Sequence, residues 1–362
     1  MNSQDQDANI DEIERLEEEQ LFEDNLNELP PNDIVAFNEL RSCADLLRMY
    51  DSKQLDIQPD FQRDVVWSKP DQTRFIDSLI KQLPIPSMCI SLDYKTDKRQ
   101  IIDGLQRMTS IINFLSNDEW KLSQLEDINE DLSGKTVHTI KTKYKELYAR
   151  VQNVVIPITV IRCDYSKESH SEYLFTIFHR LNSGGMRLNN QEIRNCIFNG
   201  NFNSLLKDLA SSELTSITIG KKTRFANEEL LLRFFAFNEI LSSYSGKLST
   251  FLNSYMRSKR DLNDKEILDK QLLANRTLNI IYEKIFNSQP IKGIGKTVLE
   301  GLMYGISQNI DYLEKKSEKE VQSLYQQFLH LKEYSIVSLK EGLAQKDKLI
   351  SRLNASKQIF AK

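Results

Sequence analysis

A change of hydrophobic period near residue 200 constrains this chain more than any other feature. Before it, short apolar or alternating runs rich in Ile and Val, of strand rather than helix length, occur at Met88 to Leu92, Arg99 to Ile102 and Val154 to Ile161. After it, almost no β-branched alternation remains. Apolar residues recur at helical spacing through Glu228 to Leu241, Leu248 to Ser258, Lys265 to Phe286, Thr297 to Leu313 and Val321 to Lys340. The expected fold class is therefore α+β: a small mixed sheet with helices over about 34–200, followed by an all-helical bundle over 201–362.

Punctuation refines the first part. Val35 to Tyr50 reads as a short strand and a helix, and Asp71 to Leu83 as an amphipathic helix stopped by Pro84-Ile85-Pro86. Further helices are expected at about Leu105 to Leu115, Glu168 to Leu181 and Asn190 to Phe198. With 362 residues the chain can bury two or three cores without a disulfide or metal staple. Cys43, Cys89, Cys163 and Cys196 are scattered, with no CxxC pair and no histidine cluster beside them, which argues against zinc and for a reducing compartment. No stretch approaches the roughly 18 to 20 apolar residues of a membrane span, and the N-terminus is acidic where a secretion signal is basic. A cytoplasmic protein is expected.

The net charge of -4 conceals an asymmetry. Residues 1–33 carry twelve Asp or Glu and the single Arg15, a balance of -11, so residues 34–362 carry +7. A basic body suits an anionic partner such as DNA or a nucleotide. The acidic segment, expected to be disordered or conditionally helical and to end at Pro30-Pro31, is either a solvated tail or an intramolecular occupant of the same basic surface. Two basic clusters, Lys221, Lys222, Arg224 and Arg257, Lys259, Arg260, stand near Phe225 and Tyr255; they read as phosphate-backbone contacts or as solvated faces.

The sharpest local feature is Arg99-Gln-Ile-Ile-Asp-Gly-Leu-Gln-Arg-Met-Thr109, an apolar strand that breaks at Asp103-Gly104 and runs straight into a helix. Glycine allows a tight turn, and the first helical amides with the helix dipole favour negative charge there. Arg107 adds a planar fork for phosphate oxygens, Gln106 a donor and an acceptor, and Thr109 a hydroxyl. The plainer alternative is that Asp103 caps the helix and Arg107 pairs with it. A second cluster, Gln58 to Trp67, sets Gln62 and Arg63 between Phe61 and Trp67, whose rings suit a core. A third, Ile177 to Arg194, ends a helix in Asn182-Ser183-Gly184-Gly185 before a new one begins; a glycine C-cap explains the glycines but not Asn182, Glu192 or Arg194.

In order and spacing these clusters resemble the N-terminal domain of GmrSD-type restriction endonucleases and its relatives in phage defence. The resemblance rests on Phe61-Gln62-Arg63 with Val66-Trp67, on Asp103-Gly104-Leu105-Gln106-Arg107, and on Asn182-Ser183-Gly184-Gly185 with Leu188 and Glu192-Ile193-Arg194. Ile85-Pro86, Glu228 to Ala236 and Tyr244 to Leu252 extend it to roughly 35–260. It implies a ParB/sulfiredoxin-like domain binding a nucleoside triphosphate, with the Asp-Gly-x-x-Arg turn cradling phosphates and, in several relatives, hydrolysis coupled to DNA. On that likeness Asp103, Gln106 and Arg107 are the candidate catalytic residues. Gln62, Arg63, Gly104, Thr109, Asn182 and Gly184 are the candidate nucleotide contacts, with Asn182 near a magnesium ion carried by the nucleotide. No other metal ligand is assigned. The third motif residue is Leu105 where the family usually has Gln, which removes a side-chain contact; sulfiredoxin chemistry needs a cysteine there, and Leu105 excludes it.

Two further signals are set aside. Gly293-Ile-Gly-Lys-Thr297 looks like the end of a P-loop, but the required first glycine falls on Pro290 and the preceding segment is helical. His138, His170, His179 and His330 stand in no His-x-Pro or His-Asn-His context, so cleavage of DNA is assigned to another subunit. The reading that results is a nucleoside-triphosphate-binding and hydrolysing, DNA-sensing component of a prokaryotic restriction or phage-defence system. The alternatives are a non-catalytic DNA- or partner-binding module of the same fold, favoured by Leu105, and a protein-interaction role built on the long helices and acidic head.

Overall fold

Each Ile- and Val-rich run becomes a strand and each capped amphipathic run a helix. The computed structural model describes residues 12, 13, 15, 30–57, 67–181, 189–220, 225–291, 293–340 and 342–362. Two units emerge, residues 28–188 and residues 189–362 together with 1–27. No helix among the described residues is long and apolar enough to cross a membrane.

The first unit runs β1 (Val35–Ser42), α1 (Cys43–Asp51), β2 (Leu55–Asp56), α2 (Lys69–Ile80), β3 (Met88–Asp93), β4 (Lys98–Asp103), α3 (Leu105–Ser116), α4 (Val137–Lys143), α5 (Lys145–Asn153), β5 (Val155–Cys163) and α6 (Glu168–Leu181). Its five strands lie in the order β1-β5-β3-β4-β2. The sheet is mixed: β1 and β4 run antiparallel to β5 and β3, while β3 runs parallel to β5 and β2 to β4. Alternation sends Met88, Ile90, Ile101, Ile156, Ile158 and Val160 into one core with Ile76 and Leu79 of α2 and Met108, Ile111 and Phe114 of α3. Ser42 and Ser68 start α1 and α2 by accepting the backbone amides of Asp45 and Asp71. Buried His170 of α6 ties the chain before β1 to the turn that follows β5. Its Nδ1 accepts the Asp164 amide at 2.9 Å, so Nε2 carries the proton and donates to Asp33 at 2.8 Å. Hydrogen bonds from Lys167 and His170 hold the Asp33 carboxyl down at about 2.

The second unit opens with α7 (Asn190–Ile197), α8 (Asn201–Ser211), α9 (Glu213–Ile219), α10 (Ala226–Ile240) and α11 (Leu248–Ser258). It continues through α12 (Asp264–Asn279), α13 (Lys296–Ser307), α14 (Ile310–Leu313), α15 (Glu318–Leu329), α16 (Ile336–Lys340) and α17 (Lys346–Phe360). Its core is crossed by buried charge. Arg233 binds Glu229 at 2.6 Å and Glu300 at 3.1 Å, Arg194 reaches Glu229 at 3.5 Å, and Lys296 donates to the same Glu229. Burial pushes the Glu229 carboxyl up, but Lys296, Arg233 and Arg194 outweigh it and hold it well below the usual carboxylate range. Burial draws Arg194 down to about 10.

This arrangement makes a stability prediction. A carboxyl whose folded pKa lies below its unfolded value of about 4.3 contributes fully above that pH and loses the contribution as pH falls towards the folded value. Arg233→Met leaves Glu229 and Glu300 without their shared guanidinium, an expected loss of about 3–5 kcal/mol at neutral pH. The gap to wild type should narrow below roughly pH 4, as read by urea denaturation at both pH values.

Candidate functional site

Strand β4 ends at Asp103 and helix α3 begins at Leu105, so Gly104 alone makes the reversal. It does so with φ at +102°, in the left-handed region. The turn also presses on β3: a Cβ at Gly104 would stand 2.6 Å from Met88 Cγ and 2.9 Å from its Sδ. Conformation and space both demand glycine. The cap position is a glycine, so Gly104 itself offers no side chain to cap α3, and the positive end of the helix dipole lies at the turn. The first helical bond is Met108 N–H to the Gly104 carbonyl at 2.9 Å.

Two side chains of the first turn bind other segments to this tip. Arg107 Nη2 meets Asp103 Oδ2 at 2.6 Å, while Nη1 donates to the carbonyls of Pro86 and, at 3.2 Å, Ser87. Gln106 Oε1 accepts the Trp67 amide at 3.0 Å. The Trp67 carbonyl in turn accepts from Gln72 Nε2 at 3.0 Å, and Gln72 Oε1 from Asn113 Nδ2 at 3.1 Å, so the end of the Gln58 to Trp67 segment is held by α2 and α3 together. Trp67 packs edge-on against Phe75, with ring centroids 5.6 Å apart. Asp103 is the more exposed of the central pair, 36% against 12% for Arg107. The Thr109 hydroxyl bonds back to the Leu105 carbonyl at 2.9 Å. Cys89 stands opposite Asp103 in register, yet burial, then the Asp103 charge, pushes its thiol up to about 12, which removes thiolate chemistry from the turn.

The residues present fit a phosphate group in two respects, a helix N-terminus whose cap residue has no side chain and a guanidinium one turn along, while the space beside Gly104 is taken by Met88. Asp103 is the opposing influence. Its carboxylate neutralises Arg107, so an incoming anion has to compete with it for the same fork. The turn follows the plainer sequence alternative in part: Arg107 does pair with Asp103, but Asp103 does not cap α3.

The other sequence candidates distribute differently. Phe61, Gln62, Arg63 and Val66 lie outside the described residues, as do Asn182, Ser183, Gly184, Gly185 and Leu188, and Lys221, Lys222 and Arg224. Glu192 has a local explanation. It closes a capping box with Asn189, each side chain accepting the other's backbone amide, at 2.6 and 2.8 Å. Arg194 is fully buried in the helical unit on Asn253 at 2.8 Å, Gln191, Ser249 and Glu229. The Gly293 to Thr297 stretch follows a π turn (Ile280–Ile285) rather than a strand, and its Lys296 opens α13 while bound to Glu229. Sequence reasoning missed the carbonyls of Pro86 and Ser87 and the relay through Gln72 and Asn113; the Pro84-Ile85-Pro86 break was the only local cue to the former.

Fold and turn together define an α+β domain organised round a strand–glycine–helix junction, with an arginine in the first helical turn. Residues 43–199 match the family described as GmrSD restriction endonuclease, N-terminal domain. The match takes in Trp67, the Asp103 to Arg107 turn and Glu192 to Arg194, and it ties the chain to restriction and defence systems. No curated protein and no solved structure matches the chain.

Gly104→Ala is expected to cost about 2–4 kcal/mol, from left-handed strain and overpacking against Met88. In thermal melts the double variant with Met88→Ala should retain more stability than the sum of the two single losses allows, because the second change removes the collision. Strict additivity would show that Met88 does not confine the turn.

Proposed function

We propose that residues 28–188 bind the phosphate chain of a nucleoside triphosphate at the tip of α3. Nucleotide occupancy there governs how the chain senses DNA within a cytoplasmic restriction or phage-defence system, with cleavage supplied by another subunit. The observation that carries this reading is the glycine turn at the start of α3 with Arg107 held beside it. Support comes from Gln106, whose bond to Trp67 anchors the segment bearing Gln62 and Arg63. Arg63 is four residues before Trp67 in sequence, and the family likeness assigns its charge to the same phosphates.

In this reading the sheet is ParB/sulfiredoxin-like. Arg107 and Arg63 neutralise phosphate charge, Gly104 sets the left-handed turn that presents the helix tip, and Thr109 and Gly184 line the phosphates. Gln106 orients a phosphate oxygen or an attacking water, and Asp103 fixes the turn. Magnesium carried with the nucleotide would supply positive charge against Asp103, and the family likeness offers Asn182 to help hold it. A second reading, binding without turnover, draws on Leu105 in the third motif position and on an Arg107 already paired to Asp103.

Titration of the purified chain with each of the four ribonucleoside triphosphates and magnesium tests the site. Arg107→Ala should weaken binding roughly 10- to 150-fold, the value of charge-assisted hydrogen bonds to phosphate, with Arg107→Lys recovering part of it. Wild type binding none of the four at millimolar concentration, or Arg107→Ala binding as tightly as wild type, would overturn the proposal. Phosphate release with and without duplex DNA separates the two readings: turnover that Gln106→Ala abolishes supports hydrolysis, and tight binding without turnover supports the regulatory module.

A further inference from the structure

The positive charge of the chain belongs to one unit. Residues 189–362 hold 26 Lys and Arg against 19 Asp and Glu, a balance of +7, whereas residues 34–188 hold 21 of each. Residues 1–27 belong to the same unit and, with ten Asp or Glu against Arg15, offset that charge and bring the unit to -2. Glu12, Ile13 and Arg15 have helical backbone. Ile13 is 7% exposed in a small cluster with Leu339 and Leu343, against which Val298 packs. Beside it Glu12 meets Lys340 Nζ at 2.6 Å. The socket is made by α16, the stretch that follows it, and α13, with Lys346 and Lys348 at the start of α17; Lys296 at the start of α13 is committed to Glu229 inside the unit.

Anchoring Ile13 fixes more than one side chain. Asp7, Asp11, Glu14, Glu17, Glu18 and Glu19 all lie within six residues of it. Whatever path they follow, chain length keeps each within roughly 20 Å of the socket. By sequence, seven carboxylates, Glu12 included, lie within six residues of the anchored Ile13. The anchor itself is slight: one buried isoleucine and one half-exposed ion pair. Tethering compensates, since an intramolecular contact acts at a high effective concentration. A polyanion that releases many counterions on binding can still displace it.

We infer that the acidic N-terminal segment is an intramolecular competitor of DNA, latched on the helical unit through Ile13 and Glu12 and displaced when a duplex engages the lysine-bearing surface. This rests on the DNA-sensing half of the function proposed above and not on the nucleotide site.

Duplex affinity of the full-length chain is the test, read by fluorescence anisotropy at about 50 and 200 mM salt. Ile13→Ser unlatches the segment. The triple change Glu17→Gln, Glu18→Gln, Glu19→Gln keeps the latch and removes charge. Both should bind a duplex roughly 5- to 20-fold more tightly than wild type at the lower salt, with the gap shrinking at the higher, as screened competition requires. Carbodiimide should join Glu12 to Lys340 in wild type, at a yield that saturating duplex lowers. Variants binding as wild type does, or a cross-link indifferent to duplex, would overturn the inference alone. Failure of wild type and every variant to bind duplex would overturn it together with the DNA half of the proposed function.

Discussion

The junction between β4 and α3 depends on one residue having no side chain. Gly104 at φ +102° reverses the chain within a single residue and lies so close to Met88 of β3 that a methyl group has no room. That contact fixes the start of α3 against the sheet, and the rest of the site follows from the angle it sets. Arg107, one helical turn on, can reach back to Asp103 and across to the carbonyls of Pro86 and Ser87 only because the helix leaves the strand in this direction. Gln106, the next residue round the helix, then faces the Trp67 amide. A strand end, a proline-broken loop and a tryptophan are thus joined at one helix tip, and the core beneath supplies the rigidity that a positioned guanidinium requires.

The helical unit handles charge in another way. Three cations and two carboxylates are buried together there, an arrangement whose desolvation cost is offset only while every partner stays in place. Such a cluster adds little net stability over apolar packing, yet it penalises any helix register that separates its members, since α7, α10 and α13 each contribute. Arg194 belongs to this cluster. Its place in the Glu-Ile-Arg motif therefore reflects the folding of the helical unit, as Glu192 reflects the capping of α7.

Local chemistry was legible in the sequence; long-range pairing was not. Ile and Val runs flanked by polar residues located β3, β4 and β5 to within a residue or two, because strand length and alternation are carried by the residues themselves. The Pro84-Ile85-Pro86 stop and the Asp103-Gly104 break were equally local. The strand order β1-β5-β3-β4-β2 had no such mark, since it depends on which apolar faces meet. Gln106 and Arg107 were recognisable as polar residues in a first turn, but their partners lie 39 and about 20 residues away. Glu192 shows the opposite error: Asn189 three residues before it is a capping box readable from sequence, and a motif match drew attention past it. Short helices such as α4, α8 and α9 went unread because seven to eleven residues carry too little periodicity.

Both electrostatic features of the chain keep a cation engaged by one of its own carboxylates, and they differ in what can release it. The Arg107–Asp103 pair is close to the core, with the guanidinium 12% exposed and also bonded to two backbone carbonyls, so bulk salt screens it weakly. An anion able to accept from the same fork in the same geometry is what competes there, which makes the junction selective for a group shaped like a phosphate. The Glu12–Lys340 pair has side chains 46% and 34% exposed and only Ile13 beneath it. Ionic strength alone loosens such a contact, and a long polyanion loosens it further by its own field. One cation is thus held by the geometry of its partners and the other by charge alone, so the two differ in what can release them.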